Sequence, residues 1–167
     1  IKRSVKYTIY KPKIYPNTKK YVNDCIESTW ISSKGSYIDK FEESFADYLN
    51  IEFSSTVSNG TTALHMCLTA LGIGKDDEVI VPSFTFASTA EAVCMLGSIP
   101  FFADVKIDTF NICEKSILNC ITRAKQLGIT LKGIISVGLF GQPCDLDNII
   151  EVANDNNLWV LDYAAQS

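Results

Sequence analysis

Apolar positions along the chain change their spacing near residue 50. Before it, two stretches repeat at helical intervals: 16–29, and 37–49, where Ile38, Phe41, Phe45, Ala46 and Leu49 form one stripe. The polar run SSKGS at 32–36 joins them. Beyond residue 50, short apolar runs alternate with helical stretches. Runs at 54–58, 78–81, 100–103, 133–137 and 159–161 read as strands, and 61–71, 88–96, 114–127 and 146–154 read as the helices between them. Strands spaced by helices need crossover connections, so the sheet is predicted to be mainly parallel and covered on both faces. The expected architecture is three-layer α/β/α, with an N-terminal helical segment over 1–50 and a sheet-bearing domain over 51–167.

Composition narrows the function classes. With 167 residues, 47% hydrophobic and 20% charged, the chain can bury a sizeable core and does not read as disordered. A net charge of -4, without any basic block, argues against nucleic acid or an anionic membrane surface as the main partner. The six cysteines (Cys25, Cys67, Cys94, Cys113, Cys120 and Cys144) form no C-x-x-C pair and read as reduced, mostly buried thiols. One histidine, His65, gives a zinc cluster little to draw on. No apolar run approaches the roughly 20 residues of a membrane-spanning helix, and no signal-peptide pattern opens the chain, so a cytoplasmic location is expected.

In parallel sheets of this kind ligands bind beyond the carboxyl ends of the strands. Ser58-Asn59-Gly60-Thr61-Thr62 lies at the start of the first such helix, where free amides, threonine hydroxyls and a glycine make either an anion site or a plain capped turn. Phe84 and Phe86 follow the 78–81 strand; Phe86, flanked by small residues, is the better candidate to stack on a flat ring. Gly141-Gln142-Pro143 reads as a sharp turn, with Asp145 as the N-cap of the next helix. Asp162 and Gln166 stand at the last strand end. A carboxylate there is either a hydrogen-bonded structural acid or the partner of a cationic ring nitrogen, which it would keep protonated. A phosphate site, a stacking aromatic and a ring-nitrogen acid together describe pyridoxal phosphate better than any of them does alone.

Four stretches, TWISSKGSYIDKFEESFADYL, VSNGTTALHMCLTALGIGKDDEVIVPSFTFASTAEAV, LFGQPCDLDNI and AAQS, resemble the pyridoxal-phosphate sugar aminotransferases of the StrS/DegT type, which act on nucleotide-linked keto sugars. The resemblance implies the large domain of a fold-type I transferase, incomplete in this chain. It implies that Gly60 and Thr61 hold the cofactor phosphate, that Phe86 stacks on the pyridine and that Gln166 lies beside the ring hydroxyl. WISSKG resembles its counterpart in enzymes that aminate C4 of a 4-keto-6-deoxy sugar, such as perosamine synthases, which would bring Ser33 and Lys34 near the sugar nucleotide; a solvated loop cation is the other reading of Lys34. Members of the family carry a histidine at the position of His65 too, which here reads as a partly buried helix residue. Glutamate as amino donor and a homodimer follow from the same resemblance.

Three departures stand out. Gly138 occupies a position where the family has histidine. Aligned on Ala164-Ala165-Gln166, the family's ring-nitrogen aspartate falls on Tyr163, with Asp162 one place earlier. Side chains alternate across a strand, so the one-place offset turns the carboxylate to the other side unless the backbone bulges; Asp162 is nevertheless the expected partner of the ring nitrogen, a tyrosine phenol being much poorer at holding a protonated ring. Finally, the family's Schiff-base lysine is expected beyond Ser167, so the 167 residues alone are not expected to transaminate. A nucleotide-sugar 3-dehydratase of the same fold, with histidine in place of that lysine, and a non-catalytic binding module remain as alternatives.

Overall fold

The computed structural model describes residues 12–167, so positions 1–11 of the predicted N-terminal segment lie outside the described residues. Two compact units meet between Thr56 and Val57. The N-terminal unit holds α1 (Thr18–Glu27) and α2 (Ser36–Leu49). Tyr37 of α2 donates its hydroxyl to Asp24 Oδ2 of α1 at 2.8 Å, and its ring lies 5.2 Å from that of Tyr21. Because the phenol proton is held by the Asp24 carboxylate, the Tyr37 pKa is pushed up to about 12. α2 ends on Asn50 in the left-handed conformation that a helix C-terminus favours.

The run 54–58, expected as a strand, is not one. Ser54 Oγ donates to the Glu42 carbonyl at 2.6 Å, and both the amide and the hydroxyl of Thr56 donate to Glu42 Oε1 at 2.7 Å. The amide that a ladder would use is spent on a side chain. Those two bonds also hold the Glu42 carboxyl below its usual range.

The C-terminal unit runs α3 (Gly60–Ala70), β1 (Glu78–Pro82), α4 (Ser88–Met95), β2 (Ile99–Ala103), α5 (Glu114–Leu127), β3 (Leu131–Val137), α6 (Leu146–Asp155) and β4 (Trp159–Tyr163). All strand pairs are parallel, in the order β2-β1-β3-β4. The pleat sends alternate residues to opposite layers. Val79 and Val81 pack with Leu64 and Leu68 of α3 and with Ala92 and Val93 of α4. Ile80 and Ile134 pack with Ile117 and Ile121 of α5 and with Ile149 and Ala153 of α6. Burial on both faces explains why these strands read as unbroken apolar runs.

Two features of the sheet position the site. β3 follows β2 in sequence but lies on the other side of β1, so the chain reverses direction across the sheet and opens a crevice at the carboxyl ends of β1 and β3. β3 and β4 pair in continuous register from Gly133 opposite Trp159 to Val137 opposite Tyr163, without a bulge.

The thiols differ from expectation in one respect. All six are free, but only Cys120 is buried; Cys94 is exposed and the other four are half-buried. Cys94 falls on the outer side of α4, whose inner side is taken by Thr89, Ala92 and Val93. No helix among the described residues is long and apolar enough to cross a membrane.

Candidate functional site

The start of α3 is capped by Asn59, whose Oδ1 accepts from the Thr62 amide at 2.9 Å and from the Thr62 hydroxyl at 3.1 Å. Its carbonyl accepts from the Ala63 amide. The Gly60 and Thr61 amides, orphaned as the first donors of any helix are, have no partner among the described residues. Gly60 does not take a positive φ. It is small for another reason: a Cβ there would run into the hydroxyl and ring of Tyr163. The close approach of β4 to α3, not an unusual backbone, is what demands glycine.

Tyr163 also lines a cavity of ≈ 220 Å³ at the carboxyl ends of β1, β3 and β4, together with Phe86, Val137, Leu139, Ala165 and Gln166. Phe86 stands on the loop after β1 and is 67% exposed; its carbonyl accepts from the Thr89 amide, which sets it at the entry to α4. Phe84 goes elsewhere, to a cluster in which its ring lies 5.5 Å from Phe110, and Phe110 meets Phe140 edge-on at 6.1 Å. Gln166 is fixed through its backbone, since its carbonyl accepts from the Gly141 amide at 2.6 Å. Of the residues singled out in the sequence, Phe86 and Gln166 therefore share one cavity, and Tyr163 links it to Gly60.

Asp162 does not join them. The unbroken register puts it opposite Ser136, on the side of the sheet away from Tyr163, and Ser136 Oγ donates to its Oδ1 at 2.7 Å. Asp162 is exposed there, and nearby Cys144 is affected by it: burial first, then the Asp162 charge, raise that thiol to about 11. A bulge would have been needed to turn the carboxylate into the cavity, and none occurs.

Gly138 is buried, and a Cβ at this position would stand 2.5 Å from Ser167 Oγ. The absence of a side chain at 138 and the path of the 164–167 segment thus go together. His65 lies half-buried on α3 and does not line the cavity. Ser33 and Lys34 belong to the N-terminal unit, where both are exposed; Lys34 lines a separate cavity of ≈ 240 Å³ with Trp30, Ser32 and Tyr37, and Ser33 does not.

Asn111 escaped the sequence reading. It is buried between β2 and α5, where its Nδ2 donates to the carbonyls of Gln142 at 3.0 Å and Pro143 at 2.9 Å, and its Oδ1 accepts from the Leu139 amide at 3.2 Å. One side chain thus satisfies three backbone groups of the turn that lines the cavity through Leu139 and holds Gln166 through Gly141. In sequence it is one asparagine in a polar-to-apolar junction, a common turn residue, and nothing local points to partners some 30 positions away.

Residues 12–167 match the model of the DegT/DnrJ/EryC1/StrS aminotransferase family. The GDP-perosamine synthase of Escherichia coli O157:H7 is 42% identical over 159 residues, which cover 95% of this chain and 42% of that protein. A DegT DnrJ EryC1 StrS aminotransferase from Brucella abortus superposes with a TM-score of 0.81 at 32% identity, covering 86% of this chain and 39% of the other. The fold alone is shared at 23% identity with the E coli GDP-4-keto-6-deoxy-D-mannose-3-dehydratase with bound hydrated PLP, at a TM-score of 0.78 over 96% of this chain and 41% of the other. The chain spans about two fifths of the length of the curated relatives it matches.

Proposed function

This chain belongs to the DegT/DnrJ/EryC1/StrS aminotransferase family, and from that premise we propose that it is the N-terminal part of a cytoplasmic, homodimeric, pyridoxal-phosphate-dependent enzyme that transfers an amino group from glutamate to a nucleotide-linked 4-keto-6-deoxy sugar. The observation that carries the reading is that Phe86, Tyr163 and Gln166 share one cavity at the carboxyl ends of the strands, with Gly60, whose amide is uncommitted, against Tyr163.

Those residues fit a flat phosphorylated ring. The first-turn amides of α3, with the positive end of its dipole and the Thr61 hydroxyl, suit a phosphate. Phe86 offers an aromatic wall against which a pyridine stacks, and Gln166 a side-chain amide for a ring hydroxyl. Pyridoxal phosphate, when bound, supplies an electron sink that stabilises negative charge developing on the substrate carbon. The apolar wall formed by Val137 and Leu139 keeps water from that end of the cavity. Ser33 and Lys34 would lie near the sugar nucleotide in the assembled enzyme, where Lys34 would meet the diphosphate charge. No lysine lines the cavity among the described residues; the lysine that moves protons belongs, on this reading, to the further length that the relatives possess.

Full-length protein carrying this chain, supplied with pyridoxal phosphate, glutamate and GDP-4-keto-6-deoxymannose, is expected to yield 2-oxoglutarate and a 4-amino sugar nucleotide in equal amounts, read by mass spectrometry. A product that has lost the C3 oxygen instead would assign the protein to the dehydratases, and no turnover of any keto sugar nucleotide would favour a binding module.

A further inference from the structure

We propose that Tyr163 sets the charge state of the ring bound in the β1/β3/β4 cavity: with a phenol rather than a carboxylate on the cavity face of β4, the ring nitrogen of bound pyridoxal phosphate is unprotonated. This rests on the reading that the cavity takes that cofactor.

The cavity wall consists of four apolar residues, one phenol and one carboxamide. No carboxylate, lysine, arginine or histidine is among them. A protonated ring nitrogen is a cation, and taking it from water into an apolar cavity is costly unless an opposite charge faces it. The nearest acid along the chain, Asp162, cannot supply that charge. It lies one residue before Tyr163 on a strand whose register with β3 is unbroken, and so it points to the other side of the sheet, where Ser136 donates to it. Turning it inward would shift β4 by one residue, which would bring Leu161 and Tyr163 onto the face now occupied by Asp162 and undo the packing of both.

What Tyr163 offers in its place is a phenol, whose hydroxyl stands against Gly60 at the start of α3. A phenol supplies no carboxylate charge with which to hold a pyridinium, so the lack of an acid on this face favours the unprotonated ring. A neutral ring withdraws electrons less strongly than a cationic one, so the site is tuned to a weaker electron sink than a facing carboxylate would give.

The test is spectroscopic. Pyridoxal phosphate labelled with 15N in the ring is bound to the full-length protein at neutral pH, and the nitrogen resonance is compared with those of neutral pyridine and pyridinium references. The wild type is expected at the neutral-pyridine position. Tyr163→Asp, which puts a carboxylate on the cavity face, is expected to move the resonance to the pyridinium position, whereas Tyr163→Phe and Asp162→Asn leave it neutral. A pyridinium resonance in the wild type overturns the inference while leaving the cofactor reading intact, as does a Tyr163→Asp resonance that stays neutral. Protein that retains no cofactor absorbance after dialysis overturns both.

Discussion

At the tip of β4 the two faces of the sheet are equipped differently. On the α3/α4 side, Tyr163 closes against Gly60 and shares an apolar cavity with Phe86 and Gln166. On the α5/α6 side, one residue earlier, Asp162 is exposed, bonded to Ser136 and close enough to Cys144 to raise its pKa. The two residues are covalent neighbours, yet the pleat gives one a cavity lined without a carboxylate and the other a carboxylate away from that cavity. A one-place difference in where an acid falls on a strand is thus a difference in what electrostatics the site can apply.

The comparison breaks most completely if the strand that presents both residues is displaced. Gly133 of β3 is buried opposite Trp159, and a Cβ there would overlap the indole. Gly133→Ala must push β4 away or force the tryptophan off its rotamer, at a cost of about 3 kcal/mol, near the upper end for overpacking in a close-packed core. Urea unfolding would register this as a lower midpoint with an unchanged slope. A loss under about 0.5 kcal/mol, the scatter of ordinary surface substitutions, would mean that the pairing is looser than described.

Smaller and more local is the contact between Gly60 and Tyr163. A methyl group at position 60 meets the phenol oxygen first, with the ring atoms next. Gly60→Ala should cost about 1–2 kcal/mol. Tyr163→Phe removes the closest atom, so the double variant should recover about 0.5–1 kcal/mol relative to the sum of the singles. Strict additivity would place the tyrosine elsewhere and separate the cavity from the start of α3.

Much of this was legible in the sequence, for physical reasons that also explain the remainder. The helices α3 to α6 and the strands β1 to β4 carry periodic or unbroken apolar patterns because they are buried against one another, whereas α1 buries no residue and α2 only Ala46, and those two are legible from the spacing of their apolar positions alone. The 54–58 run has a strand-like pattern as well, but its fate depends on a carboxylate twelve or more residues upstream, which no local pattern reports. Phe86 and Gln166, which share a cavity, could be singled out because strand ends are where such folds bind ligands, a rule of topology. The face on which Asp162 stands hinges on whether β4 bulges, a question only the paired register answers. Asn111 was missed since its three bonds reach across the crevice to a turn that is remote in sequence.

The smallest effect is the sharpest test of the two faces. Asp162→Asn keeps an oxygen that can accept from Ser136 and is exposed, so stability should move by less than about 0.5 kcal/mol. If the carboxylate points away from the cavity, the affinity for pyridoxal phosphate should change less than about twofold, or roughly 0.4 kcal/mol. A tenfold loss, about 1.4 kcal/mol, would put Asp162 in the cavity and end the contrast. The same variant carries a signature on the other face. The Asp162 charge adds to burial in raising the Cys144 thiol, so removing it lowers that pKa and increases the thiolate fraction at a given pH. Alkylation at Cys144, followed by peptide mass spectrometry in mildly alkaline buffer, should therefore quicken in Asp162→Asn. The gain should be modest, because burial is the larger cause and is untouched by the substitution. Faster alkylation with unchanged cofactor affinity is the joint result that only an Asp162 on the α5/α6 face can give.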